Sequence, residues 1–84
     1  MNKESLIQEF EATVNEITNR CLTKLENPNN NILEIFDDFQ KSVADETPKI
    51  IHKAIINNVY DRNTLIKSLA EISIKHATKL KSKV

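Results

Sequence analysis

Residues 44–51 read ADETPKII, and the number of helices in the chain turns on them. Apolar residues recur at helical spacing on both sides, so the stretch either lies inside one helix or separates two. Proline locks φ, lacks an amide hydrogen and crowds the carbonyl four residues back, so it suits a first helical turn and disfavours a helix interior. Thr47 directly before Pro48 is therefore a strong start signal. The expectation is a break at "DETP" and a new helix from Pro48.

On the N-terminal side, Ile7, Phe10, Val14, Ile17, Cys21 and Leu25 fall at spacings of three and four, a seam down a helix over residues 3–26. The stretch LENPNNNILEIF (residues 25–36) ends it. Pro28 disfavours helical geometry at Asn27, and asparagine tolerates a left-handed helix terminus in a chain with no glycine. Asn31 then caps a second helix over 32–44, with Glu34 at the third helical position in capping-box fashion. That helix presents Ile32, Ile35, Phe36, Phe39 and Val43.

Beyond the proline, a helix over 48–58 offers Ile51, Ala54 and Ile55, with Val59 following. "NNVYDRN" (57–63) supplies a turn with Asp61 and Asn63 as candidate caps. A last helix over 64–81 carries Leu65, Leu69, Ile72, His76 and Leu80. Zero glycine and two prolines leave few tight β-turn formers, and short connections favour antiparallel neighbours. The expected fold is all-α: one domain, residues 1–84, as an antiparallel four-helix bundle. A seam as long as that of the first helix outruns two short partners, and ends left open would promote pairing, so the chain is expected as a monomer or a homodimer.

No apolar run approaches the roughly 18 residues a membrane span needs. The N-terminal "MNKESLIQEFEATV" carries acids within its apolar pattern, unlike a signal peptide, and the single Cys21 cannot form an internal disulfide. The expected location is cytoplasmic, with peripheral contact at the inner face of the membrane.

Net charge is zero but unevenly spread. Residues 1–46 carry ten acidic against four basic side chains, −6, and residues 47–84 eight basic against two acidic, +6. An acidic hairpin packed on a basic one is the structural reading of that split. Two clusters are candidate contact faces. Glu34, Asp37 and Asp38 sit near a helix N-terminus, and Lys75, Lys79, Lys81 and Lys83 crowd "KHATKLKSKV" at the C-terminus. The lysines suit an anionic protein surface or weak contact with anionic lipid, at about 1 kcal/mol per basic residue. Nucleic acid is not the expected partner, since the run has no arginine or aromatic residue and the domain is not basic.

Catalytic signatures are missing: there is no glycine-rich phosphate loop, no nucleophile elbow and no His–carboxylate–nucleophile pattern. Cys21, His52 and His76 lack the paired spacing of a zinc site, so no metal or cofactor is expected. His76, on an apolar stripe, reads as a core-boundary histidine with one hydrogen bond, and Cys21 as a small buried hydrophobe. A non-enzymatic interaction protein is the expectation.

"ETPKIIHKAIINN" (46–58), "TLIKSLAEI" (64–72) and "ILEIF" (32–36) together resemble the immunity proteins that protect producers of pediocin-like bacteriocins. The Leu-Ile-x-x-Leu-x-x-Ile pattern is matched by Leu65, Ile66, Leu69 and Ile72. The resemblance implies a small cytoplasmic four-helix bundle that recognises a bacteriocin-occupied sugar-transporter receptor and blocks the pore, with Lys75 to Lys83 as the contact surface. Two other functions fit the residues. One is a phage- or plasmid-encoded inhibitor of a host protein, whose Glu34, Asp37 and Asp38 mimic an anionic ligand. The other is a dimeric structural or assembly component built on the first-helix seam.

Overall fold

A computed structural model describes residues 2–84. They form three helices, not four: α1 (Lys3–Leu25), α2 (Ile32–Ile56) and α3 (Arg62–Lys81). The expected break at Asp45–Thr47 does not occur, and Pro48 lies inside α2. The reason is the phase of the buried seam. Ile35, Phe39, Val43, Ile50 and Ala54 are all buried, with half-buried Thr47 filling the gap, so one apolar line runs past the proline without resetting.

Pro48 itself points to solvent, as does Ala44, whose carbonyl loses its helical partner and is left to water. The Thr47 hydroxyl donates to the Val43 carbonyl at 3.0 Å, satisfying the neighbouring turn. An interior proline costs about 3 kcal/mol. Burying Ile50 and Ala54 on α1 recovers a comparable amount, since a fully buried Ile side chain contributes about 1.5–3 kcal/mol. Packing therefore outweighs the local signal. The inward face beyond the proline is also one residue away from expectation: Ile50 is buried, Ile51 only half-buried and Ile55 exposed. In α1, likewise, Leu6 rather than Ile7 is fully buried.

The ends of the helices are set locally. Asn2 accepts from the Ser5 amide at 2.8 Å, and Asn31 accepts from Leu33 and Glu34 at 2.9 and 3.3 Å. Glu34 makes no return bond to Asn31 among the described residues, so half of the expected capping box is present. Asp61 caps α3 through Thr64 at 3.4 Å and also binds Lys3 across the bundle at 3.2 Å. The left-handed residue expected at Asn27 sits at the end of α2 instead: Asn58 has φ 56°. There the Val59 amide reaches the Ala54 carbonyl at 2.9 Å and the Asn58 amide the Ile55 carbonyl at 3.2 Å. This is a Schellman cap with asparagine where glycine is usual, and half-buried Val59 packs back on the core. After α1, the side chain of Asn30 caps the Lys24 carbonyl at 2.9 Å.

α2 runs antiparallel to its neighbours, so α1 and α3 are parallel, tied by Lys3–Asp61 and Lys75–Glu11. The helices form a rod with extents of 46 × 18 × 16 Å. α1 packs along both other helices, whereas α2 and α3 touch far less. Because α2 is long enough to follow α1, the α1 seam is covered from Leu6 to Cys21, while Leu25 at its end is half-buried beside a hollow lined by Leu22, Glu26 and Lys83. The core is the strip beneath α1, from Leu6 and Leu65 at one end to Cys21 and Leu80 at the other.

Candidate functional site

The weak contact between α2 and α3 leaves a furrow along their junction. Phe39 and Val43 form its floor, with Gln40 and Ala44 on one wall and Ser73, Ile74 and Ala77 on the other. Ile74 is 65% exposed, while Ile72, on the α1 side of the same helix, is 7% exposed. Ile66, Ala70 and Ile74 follow at four-residue spacing, widening the apolar arc of α3 beyond its buried stripe. Ala44, Ser73 and Ala77 keep the walls low enough for another helix to approach closely. The strip leaves apolar side chains exposed on this side of the chain. The sequence pattern held a signal for it, namely isoleucines outside the seam, that a search for one stripe per helix passes over.

The sequence-predicted contact residues separate into used and unused charges. Lys75 is tied to Glu11 at 2.7 Å. Lys79, Lys81 and Lys83 are exposed and make no ion pair among the described residues. On the acidic side, Asp38 turns toward α1, bound by Arg20 at 3.1 Å and Lys24 at 3.5 Å, with Arg20 also donating to Ser42 at 2.9 Å. Burial pushes the Asp38 carboxyl up, but the hydrogen bond and charge of Arg20, helped by Lys24, hold it below the usual value. Asp37 points away and pairs with Lys41 at 2.9 Å, and Glu34 makes no ion pair among the described residues. Among the described residues Asp38 is thus engaged by α1 and Asp37 by Lys41, which leaves Glu34 as the unpaired acid of the three. Antiparallel packing instead sets the acidic start of α2 at the same end of the rod as the basic end of α3. The acidic-on-basic packing read from the charge split is realised only in part, through Glu9–Lys53 and Glu11–Lys75. Lys3–Asp61 runs the other way.

His76 is buried in the α1–α3 seam, where Nδ1 lies 3.0 Å from the Thr18 hydroxyl oxygen. That hydroxyl donates to the Val14 carbonyl at 2.8 Å, so the consistent arrangement has Nδ1–H donating to Thr18. Nε2 is then a bare acceptor, buried without a partner among the described residues. Burial and the charge of Lys75 hold the imidazole below its ordinary 6.5, Glu11 opposing and Lys79 adding to the effect. Cys21 is buried with Sγ 3.9 Å from both the Ile35 carbonyl and Asp38 Oδ2, and burial with the Asp38 charge raises its thiol pKa. It is a protonated core thiol at neutral pH.

On the α1–α2 side a small hollow is lined by Glu9, Thr13, Glu46, Lys49, His52 and Lys53 over Phe10 and Ile50. Glu9 pairs with Lys53 and Glu46 with Lys49, so its charges are matched in place. Among the described residues no three His, Cys, Asp or Glu side chains gather as a metal site would need. No helix among them is long and apolar enough to cross a membrane. The chain matches no family model, no curated protein and no solved structure.

Proposed function

We propose that the chain is a non-enzymatic interaction protein that seats a helical surface of another protein molecule in the furrow between α2 and α3. The observation that supports this is the exposure of Ile74 beside Ala44 and Ala77, over a floor of Phe39 and Val43. A partner helix laid there would complete the packing that α2 and α3 leave unfinished, with apolar anchors at three- and four-residue spacing. The test is site-specific photo-crosslinking in living cells, with a benzophenone side chain replacing Ile74 or, on the outer face of α1, Glu16. Discrete protein adducts from position 74 and none from position 16 are expected. No adduct from position 74 overturns the reading.

A second reading attaches to the basic end of α3. Lys79, Lys81 and Lys83 stand free of ion pairs among the described residues, and the resemblance to bacteriocin immunity proteins gives them an occupant: a membrane-associated receptor complex carrying a pediocin-like peptide. With three helices the four-helix part of that resemblance falls away, and these lysines are what support it. Expression in a sensitive Gram-positive strain should protect against one or two pediocin-like peptides. The triple variant Lys79→Glu, Lys81→Glu, Lys83→Glu should abolish protection. No protection against any peptide sinks the immunity reading and leaves the furrow untouched.

A further inference from the structure

We infer that the partner seated in the furrow is an acidic amphipathic helix, an inference that rests on the furrow being a docking surface and names the chemistry of its occupant. The apolar strip is longer than the furrow proper. On α2, Ile51 and Ile55 follow Ala44 by about two and three turns, and on α3, Ile66 precedes Ser73 by about two. Helical phase therefore carries both walls on toward the turn that joins α2 to α3. Ile51 is half-buried there, and Ile55 and Ile66 are 51% and 47% exposed. From Ala44 to Ile55 the strip runs roughly 16 Å, the length of three turns of a partner helix.

The charges beside the strip select the occupant. Lys67 and Lys81 lie about two turns before and after Ile74 and so share its face of α3. Both are exposed, and neither makes an ion pair among the described residues. Glu71, one turn on from Lys67, lines the hollow on the α1 side with Ile7, Glu11 and Lys75. On the α2 wall Gln40 is neutral, and Asp37, about two turns before Ala44, is closed on Lys41 at 2.9 Å. The furrow thus has free cations along α3 and none of its α2 residues brings a free charge to it. Glu34 and Lys83 lie elsewhere, beside Lys24 and beside Leu22 and Leu25. A helix that fits has an apolar stripe to lay over Phe39, Val43 and Ile74. On the flank facing α3 it carries aspartate or glutamate about two turns to either side of the residue over Ile74, where Lys67 and Lys81 fix its register. A bilayer fits worse. Phe39 and Val43 are recessed between the helices at 3% and 7% exposure, out of reach of a flat surface, and two lysines hold anionic lipid only weakly.

The experiment carries the crosslinking at position 74 one step further, by digesting the adduct and sequencing the joined segment by mass spectrometry. The expected segment belongs to a different protein, has apolar residues at three- and four-residue spacing and carries acidic residues on one flank. Lys67→Glu with Lys81→Glu, which changes two exposed residues, should leave the helical circular dichroism unchanged and cut the adduct yield roughly tenfold or more. Lys67→Arg with Lys81→Arg should keep the yield. A basic or non-amphipathic segment, a second copy of this chain, or a yield indifferent to the charge reversal each overturns the acidic helix and leaves the docking furrow standing. A lipid adduct in place of a peptide, or no adduct at all, overturns the furrow and the acidic helix together.

Discussion

Ile72 and Ile74 stand two residues apart on one helix, yet one is 7% exposed and the other 65%. The first belongs to the closed side of the molecule, where α1 fills the space between its neighbours. The second belongs to the open side, where α2 and α3 meet with nothing laid over them. Both sides are built from the same residue types, so hydrophobicity alone does not separate them. What separates them is which helix lies opposite. Three helices of similar length leave one junction uncovered when the first of them is taken by both others. The closed side supplies stability, and the open side leaves apolar area exposed.

The largest expected effect breaks or sustains that contrast directly. Phe10→Ala should cost about 3–5 kcal/mol by urea denaturation, a large part of the 5–15 kcal/mol typical of a folded domain. Ile74→Ala, measured in dilute solution, should stay within about 0.5 kcal/mol of wild type. Equal losses would mean that the two sides are not different in kind.

The buried polar pair sharpens the account of the closed side. Thr18→Val should cost about 1–3 kcal/mol, because it leaves the His76 Nδ1–H without an acceptor. The pH dependence has a definite sign. His76 titrates below 6.5 when folded and near 6.5 when unfolded, so the unfolded chain binds the extra proton first. Stability is complete above pH 6.5 and is lost as pH falls through the lower folded-state value. Lys75 and Lys79 oppose that proton and Glu11 favours it. Thermal melts from pH 7.5 to pH 5.5 should therefore show a decline that His76→Leu flattens; an unchanged slope would remove His76 as its cause.

Pro48→Ala should raise stability by about 1–2 kcal/mol, restoring the hydrogen bond to Ala44 without disturbing the buried seam. A loss instead would show that the proline shapes α2 beside the furrow and is part of the open side. The smallest effect is at the end of α2: Asn58→Ala should cost roughly 0.5–1 kcal/mol, read from the urea midpoint, because alanine is strained at φ 56°.

Much of this fold was legible in the sequence because the signals are local. The start of α1, the Asn31 cap, the Asp61 cap and the α3 stripe through Leu65, Leu69, Ile72, His76 and Leu80 each depend on residues within one or two turns. The basic end and the acidic start of α2 were also visible, but not that Lys75 and Asp38 are already tied to α1 while Lys79, Lys81 and Lys83 are not. The furrow was the least legible feature, since Ala44 and Ile74 are 30 residues apart and nothing local says that they share a wall.

By itself, then, the sequence determined helical character, the Asn31 and Asp61 caps and the apolar stripe of α3, because capping and 3.6-residue periodicity act through near neighbours. Tertiary structure decided the number of helices and the place of the open face. Whether Pro48 ends a helix depends on whether Ile50 and Ala54 find the same surface as Phe39 and Val43, and that surface is α1, distant in the chain. The proline's cost is local and its compensation is not, so only the folded bundle could decide between three helices and four.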